Sequence, residues 1–542
     1  HQKHLTAVNA SNGDTYWRTA AAQLFQAIGE HDRAQDPRKG YSTTAYLKSG
    51  EKALYFSGPQ RHSLVAVSVD DGRMLWSYPH GNYQLVIRDD ALYAMGRTDV
   101  SRKFDPLTGK ILAELDCLRG NCTRATGTAD SIFARGDSHG GTLRLSVANN
   151  EPRRIPAMRP GCQDGVIAAN GLLYWGPWMC DCNHSLVGLI SLGPAGKFDF
   201  TQPAVEQERL EAAAGSSKAV AAFPLSPNDW PTYRANNLRT AHLPVAVPAK
   251  ARLLWQYRPQ QEIEPTAPVI AGGLAFVSGA DGIVRALDSA SGKPRWTAYT
   301  GGAVQYPPTI ANDRAYVGSG DGWVYCFEAA TGRQLWRFRA APVERKMPVY
   351  GRLLSTWPVA SGVLVENGVA YAAAGIVSHD GTHVYALDAA TGKIKWQNNT
   401  SGNLMSEGVV AGVSVQGHLL LNDGKLYLAG GNVVSPAVYD LRDGRCLNTL
   451  TNEWQKGPRG SELFHAAGEV RVVDKMMYSP RDYIPSRYFA KYLVQASSGD
   501  LLIQGTEHEM MRVDLKPGPD GKPTVIWRDS RFIETSGVVL GR

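Results

Sequence analysis

Hydrophobic and polar positions alternate along this chain in short runs, and the same polar turn breaks each run. Val284-Arg285-Ala286-Leu287 leads into Asp288-Ser289-Ala290-Ser291-Gly292, and the apolar pattern resumes through Pro294 to Trp296. The phrase returns as Val324 to Trp336, forty positions further on, and again as Val384 to Trp396, Leu64 to Trp76 and Leu5 to Trp17. Period-two alternation predicts strands. The Asp and Ser/Thr side chains can bond the local backbone, and Gly tolerates positive φ, so each phrase predicts a strand, a tight turn and a second strand. A repeat of about 40 residues of this kind predicts a closed or stacked repeat architecture.

A second recurring element precedes each phrase. Leu274 to Gly279, Ala315 to Gly320, Ala370 to Gly375 and Leu426 to Gly431 are apolar runs ending in small residues, and they predict the inner strands of each unit. The Trp at a fixed offset is too large to bury within one sheet. Stacked between neighbouring sheets, its indole N–H would still need an acceptor. One such sheet has two open faces and two open edges, and radial stacking removes both, which predicts an all-β propeller.

These phrases resemble the PQQ-type (pyrroloquinoline-quinone-like) repeat of quinoprotein alcohol dehydrogenases and of outer-membrane assembly scaffolds. Asp229-Trp230-Pro231-Thr232-Tyr233-Arg234, Asp321 to Cys326 and Arg337 to Pro342 further resemble secreted PQQ-binding-like propellers of polysaccharide-degrading bacteria. The resemblance implies a fold more than a chemistry, since the repeat occurs with and without the quinone.

Units are expected near Tyr55, Leu92, Ile132 and Leu173, then near Phe276, Tyr316, Tyr371, Tyr427, Met477 and Leu502. That number exceeds the usual range of blades. The expected fold is therefore eight blades with insertions, or two rings. Residues 1–200 would carry blades with Cys- and Trp-rich loops, and 251–542 would complete the ring or form a second one. Residues 201–250 would be a linker or insertion, with a short helix from Glu206 to Ala214 and small-residue chain from Gly215 to Ala222. Val538 to Gly541 resembles an inner strand without partners, and Leu5 to Val8 resembles partners without an inner strand. The terminal strands are thus expected to close the ring.

Composition narrows the function classes. The chain has 542 residues, 43% of them hydrophobic, and 56 glycines, as many short turns require. No apolar run reaches the ~18 residues of a membrane span. The formal charge of +7 is spread along the chain, so nucleic acid is not expected as a partner. His1 points to a mature or trimmed chain, and the resemblance to secreted propellers implies a periplasmic or extracellular protein.

Four regions carry candidate chemistry. Cys117, Cys122, Cys162, Cys180 and Cys182 crowd one stretch with His184. Cys180, Cys182 and His184 would share one face of a strand and suit a divalent metal. Disulfides, Cys117 with Cys122 and Cys162 with Cys180 or Cys182, are the competing reading. Arg124, Arg159 and Trp178 lie in the same stretch as candidate ligand contacts. Further on, Tyr478, Arg481, Arg487 and Tyr488 interleave aromatic and cationic side chains, with His508 downstream. There a sugar could stack, an arginine could neutralise a uronate carboxylate, and Tyr478, Tyr488 or His508 could move the adjacent proton. Blade packing explains the same tyrosines. Glu407, Gln416 and His418 form a polar stretch that would face a central channel, or else the wet side of an ordinary strand. Cys326 and Cys446 are expected to be small buried hydrophobes.

A quinone site would need a Trp floor, a calcium ion and a base carboxylate. No such set stands out, so PQQ is not expected. The leading expectation is a secreted propeller that binds or cleaves a polysaccharide or oligosaccharide, in the cleaving case a uronate polymer by β-elimination. A non-catalytic scaffold with a protein partner and a quinoprotein dehydrogenase are the alternatives.

Overall fold

The computed structural model describes residues 4–29, 46–58, 61–120, 124–136, 141–155, 165–175, 190–192, 203–213, 218–243, 245–246, 250, 252–349, 351–376, 378, 381–404, 412–430, 434–449, 462–466, 468–473, 492–495, 501–505, 510–517 and 523–529. Two compact units divide the chain. The first is His1–Cys180 with Gly188–Pro194, and the second is Asp181–Val187 with Ala195–Arg542.

The described residues are almost entirely antiparallel strand. In the first unit, Tyr46–Ser49, Ala53–Ser57, Leu64–Ser68 and Met74–Tyr78 form one sheet. Two more four-stranded sheets follow, from Tyr83 to Leu115 and from Thr126 to Ile155. In the second unit, sheets run from Val269 to Tyr299, Thr309 to Arg339 and Val363 to Asn398. Leu419–Asp440, Glu462–Val473 and Tyr492–Asp529 carry the later ones. Each of these runs is a meander in chain order, with Leu210–Ala212 added at the edge of one, and these are the blades of a PQQ-type β-propeller fold. The strands expected near Tyr55, Leu92, Ile132, Leu173, Phe276, Tyr316, Tyr371, Tyr427 and Leu502 are all present, each as the second strand of its set. A first strand precedes each of them, in some sheets only three residues long, as in Val269–Ala271 and Thr309–Ala311. Met477 and Val538 to Gly541 lie outside the described residues.

The repeated phrase works as a contact between sheets. Trp296 Nε1 donates to the Ala329 carbonyl at 2.9 Å, Trp336 to Ala389 at 3.3 Å and Trp396 to Leu441 at 2.9 Å. In each case the acceptor lies in the turn of the next sheet. The first unit repeats this with Trp17 on Val69 at 2.6 Å and Trp76 on Pro106 at 3.0 Å. The ring lies on the turn glycine: a Cβ on Gly332 would stand 2.5 Å from Trp296, and one on Gly444 2.3 Å from Trp396. Across its own hairpin each Trp faces a small residue, namely Ala7, Ala66, Ala286, Cys326 or Ala386. Cys326 is thus the buried small hydrophobe expected of it, at 0% exposure. Cys446 is half-buried and packs on the next core cluster.

Two segments differ from the sequence expectation. The helix expected from Glu206 to Ala214 is only Glu206–Arg209, and Leu210–Ala212 is a strand paired to the outer edge of Gln334–Arg339. Edge pairing and the packing of Leu210 against the core override the helix propensity of this Glu- and Ala-rich run. Ala22–Ile28 is a helix with no forecast, held by Leu24 and Ile28 against Phe56, Val65 and Val67.

Gly332 and Gly351 both have positive φ, but only Gly332 has a ring above it. Gly351→Ala should cost about 1 kcal/mol for the backbone alone, and Gly332→Ala more than about 2 kcal/mol, read from urea unfolding midpoints. Equal costs would show that the tryptophan contact is slack.

Candidate functional site

In the second unit one irregular segment, from Trp230 to Ala241, laces the first strands of successive sheets together. Trp230 exchanges two backbone bonds with Ile270, at 2.7 and 2.9 Å. Ile310 N–H donates to the Pro231 carbonyl at 2.8 Å, and Leu421 N–H to that of Asn237 at 2.9 Å. Asn237 Nδ2 donates to Val365 O at 2.8 Å, and Arg239 Nε to Leu419 O at 2.8 Å. Tyr233 Oη donates to Glu462 Oε2 at 3.1 Å. From Thr309–Ala311 onward those first strands also contact one another in order.

The segment reaches so many partners because its backbone is unusual. Arg234, Ala235, Arg239 and Ala241 all sit at φ between 51° and 74°, the left-handed region. Such residues cost roughly 1–2 kcal/mol each, and they cluster where the surroundings over-determine them, often at ligand clamps. Here Arg239 supplies the compensation. It is 2% exposed, and Nη1 also donates to Tyr233 O at 2.7 Å and to Thr232 Oγ1 at 3.0 Å. Burial lowers its pKa to about 10. Arg234 Nε donates to the Arg239 carbonyl at 3.1 Å, and its Nη1 stands 3.9 Å from Glu462 Oε2.

Around this staple, Tyr233, Tyr306 and His418 pack edge to face. Ring centroids are 5.1 Å apart for the two tyrosines, 5.0 Å for Tyr233–His418 and 5.8 Å for Tyr306–His418. His418 is 1% exposed, with Nδ1 3.5 Å from Glu462 Oε2 and Nε2 between the Leu463 carbonyl at 2.9 Å and N–H at 3.2 Å. Burial, and then the charges of Arg239 and Arg234, hold its pKa well below the usual histidine value, so the ring is neutral. Burial, and then the Glu462 charge, push the Tyr233 and Tyr306 phenols up. Tyr233, Tyr306 and Glu462 nevertheless keep accessible surface. The set therefore offers two half-buried tyrosines, protonated, and the Glu462 carboxylate, packed on the buried neutral imidazole of His418. Such groups can donate to and accept from ligand hydroxyls and present aromatic edges to a sugar ring.

Of the residues singled out from sequence, His418 lies in this cluster. Gln416 is half-buried two positions earlier, its amide donating to Ile376 O at 2.6 Å. Arg124 is exposed, in the first unit. Tyr478, Tyr488, His508, Arg481, Arg487, Glu407, Arg159 and Trp178 lie outside the described residues, as do Cys122, Cys162 and the candidate metal set Cys180, Cys182 and His184. Sequence reasoning missed Tyr306, Arg239 and Glu462, which stand beside no motif. Tyr233 and Arg234 lie in a phrase that had pointed only to a family.

The repeat tryptophans are committed to the turns of neighbouring sheets. Among the described residues no group of three or more His, Cys, Asp or Glu side chains gathers to hold a metal. No helix among them is long and apolar enough to cross a membrane.

Residues 245–479 match a family model described as outer membrane protein assembly factor BamB, built on the PQQ-type repeat. No curated protein matches the sequence. Similar solved structures include the quinohemoprotein alcohol dehydrogenase of Comamonas testosteroni, with 16% identity, 56% of this chain and 49% of that one covered, and a TM-score of 0.37. The ADHIIG enzyme of Pseudomonas putida HK5 gives 15%, 56%, 48% and 0.36, and BamB of Moraxella catarrhalis 11%, 79%, 85% and 0.21. The chain spans about half the length of the two dehydrogenases.

Two outcomes follow from the cluster. Arg239→Met should cost at least about 2 kcal/mol, because it strands several buried carbonyls. The unfolded chain takes up a proton at His418 near pH 6.5 that the folded chain refuses, so stability is lost as pH falls below about 6.5. His418→Gln should flatten the fall in urea midpoint between pH 7 and pH 5; an unchanged slope would mean that His418 is protonated when folded.

Proposed function

We propose that this PQQ-type repeat β-propeller binds an acidic carbohydrate at the cluster of Tyr233, Tyr306, His418 and Glu462, and that it works in the periplasm or outside the cell. The observation that carries the reading is the convergence of two half-buried tyrosines and a carboxylate, from the strained 230–241 segment, the loop before Thr309–Ala311 and the strand Glu462–Ala466. Among the described residues of the cluster, two guanidiniums, Arg234 and Arg239, accompany one carboxylate, Glu462, a balance that favours a uronate over a neutral sugar. Cleavage by β-elimination, with Tyr478, Tyr488 and His508 moving the proton, is the catalytic form of the same reading. A protein-binding scaffold is the second reading. The 245–479 match favours it, as do the exposed side chains of Leu253 (82%) and Leu254 (67%).

Incubation with neutral and uronate-containing polysaccharides, followed by calorimetry and by ultraviolet absorbance of unsaturated ends, tests this directly. Uronate oligosaccharides should bind, and Tyr233→Phe and Glu462→Gln should each weaken binding by about tenfold, or ~1.4 kcal/mol. Absence of both binding and products across the panel would overturn the carbohydrate reading and leave the scaffold.

A further inference from the structure

The strap formed by Glu206–Arg209 and Leu210–Ala212 crosses the seam between the sheet ending in Gln334–Arg339 and the sheet Val363 to Asn398. It pairs with the first of these through Leu210 and Phe338. It meets the second where Ala204 N–H donates to Gln397 Oε1 and Ile394 N–H to Glu206 Oε1, both at 2.7 Å. This drives Arg209 into the seam, at 4% exposure. Its Nη1 donates to Tyr385 Oη at 3.0 Å, and no carboxylate pairs with it among the described residues. Arg339 lies close enough for the two charges to repel; the Glu344 and Glu208 carboxylates offset part of that charge, and its hydrogen bonds go to the carbonyls of Pro342 at 3.3 Å and Glu208 at 3.4 Å.

His383 completes the group. It stands two positions before Tyr385 on the strand His383–Asp388, so both side chains leave the same face of the sheet. It is 0% exposed, and neither ring nitrogen has a hydrogen-bond partner. A buried cation without a counter-ion and a buried imidazole without a partner are both costly to fold. Here they share one seam, beside a second arginine.

We propose that Arg209, Arg339, His383 and Tyr385 form a binding site for an oxyanion, the sulfate, phosphate or carboxylate group of a ligand that enters the seam. The two guanidiniums supply the charge and the unpartnered imidazole a directional bond, while the Tyr385 hydroxyl, which donates to the Ala340 carbonyl at 3.0 Å, holds Arg209 in place. Burial first, and then the Arg209 charge, lower the His383 pKa to about 3. An anion beside it favours the protonated ring, so binding should tighten as pH falls. The site is separate from the Tyr233 cluster and does not rest on the carbohydrate reading.

Inorganic sulfate is a suitable probe, since it does not titrate near neutrality. Millimolar sulfate at constant ionic strength should raise the melting temperature of the wild-type chain and give a one-site calorimetric isotherm that is tighter at pH 6 than at pH 7.5. Arg209→Met should abolish both effects yet be no less stable than wild type in sulfate-free buffer; Arg339→Gln should weaken the isotherm about tenfold. Phosphate and a short uronate assayed in parallel identify which oxyanion is preferred. A wild-type chain indifferent to all three would overturn the proposal, as would an Arg209→Met variant that responds like wild type. If Arg209→Met fails to fold, the wild-type and Arg339→Gln isotherms decide.

Discussion

The fold depends on one contact made again and again, a tryptophan of one hairpin lying on the turn glycine of the next and donating its indole N–H to a carbonyl there. The contact joins two requirements that a lone sheet cannot meet. The indole gains a buried face and an acceptor, and the exposed turn gains a lid. It also fixes sequence on both sides. The turn must contain glycine because any Cβ would overlap the ring, and the strand opposite the tryptophan must carry alanine or cysteine to leave room for it.

Docking the outer rims in this way brings the first strands of successive sheets together at the other end. Those strands are short, and their spare backbone groups have to be satisfied. The segment from Trp230 to Ala241 does this in the second unit, at the cost of four left-handed residues and a fully buried Arg239. The cluster of Tyr233, Tyr306, His418 and Glu462 is a by-product of that arrangement. Groups that no single sheet would place together meet because one strap bonds to several sheets.

Much of the fold was legible in the sequence because its signal is local. Asp388, Thr391, Gly392 and Trp396 lie within nine positions, and the hairpin and its tryptophan contact follow from them. Strands of three residues, such as Thr309–Ala311, are too short to show alternation and were missed. The run Glu206 to Ala214 has helical composition, but pairing to the open edge of Gln334–Arg339 and the packing of Leu210 on the core draw part of it into a strand. The candidate site was poorly legible for the opposite reason. Tyr233 and Glu462 are 229 positions apart, and neither stands in a catalytic motif. Of the polar stretch Glu407, Gln416 and His418, only His418 joins the cluster among the described residues.

The central claim is that the tryptophan contacts carry the stability of the blades, and hydrogen exchange at the indole N–H groups tests it most directly. The indoles of Trp296, Trp336 and Trp396 should exchange only as fast as the second unit unfolds, while that of the exposed Trp527 exchanges freely. Exchange of all four at one fast rate would contradict the account.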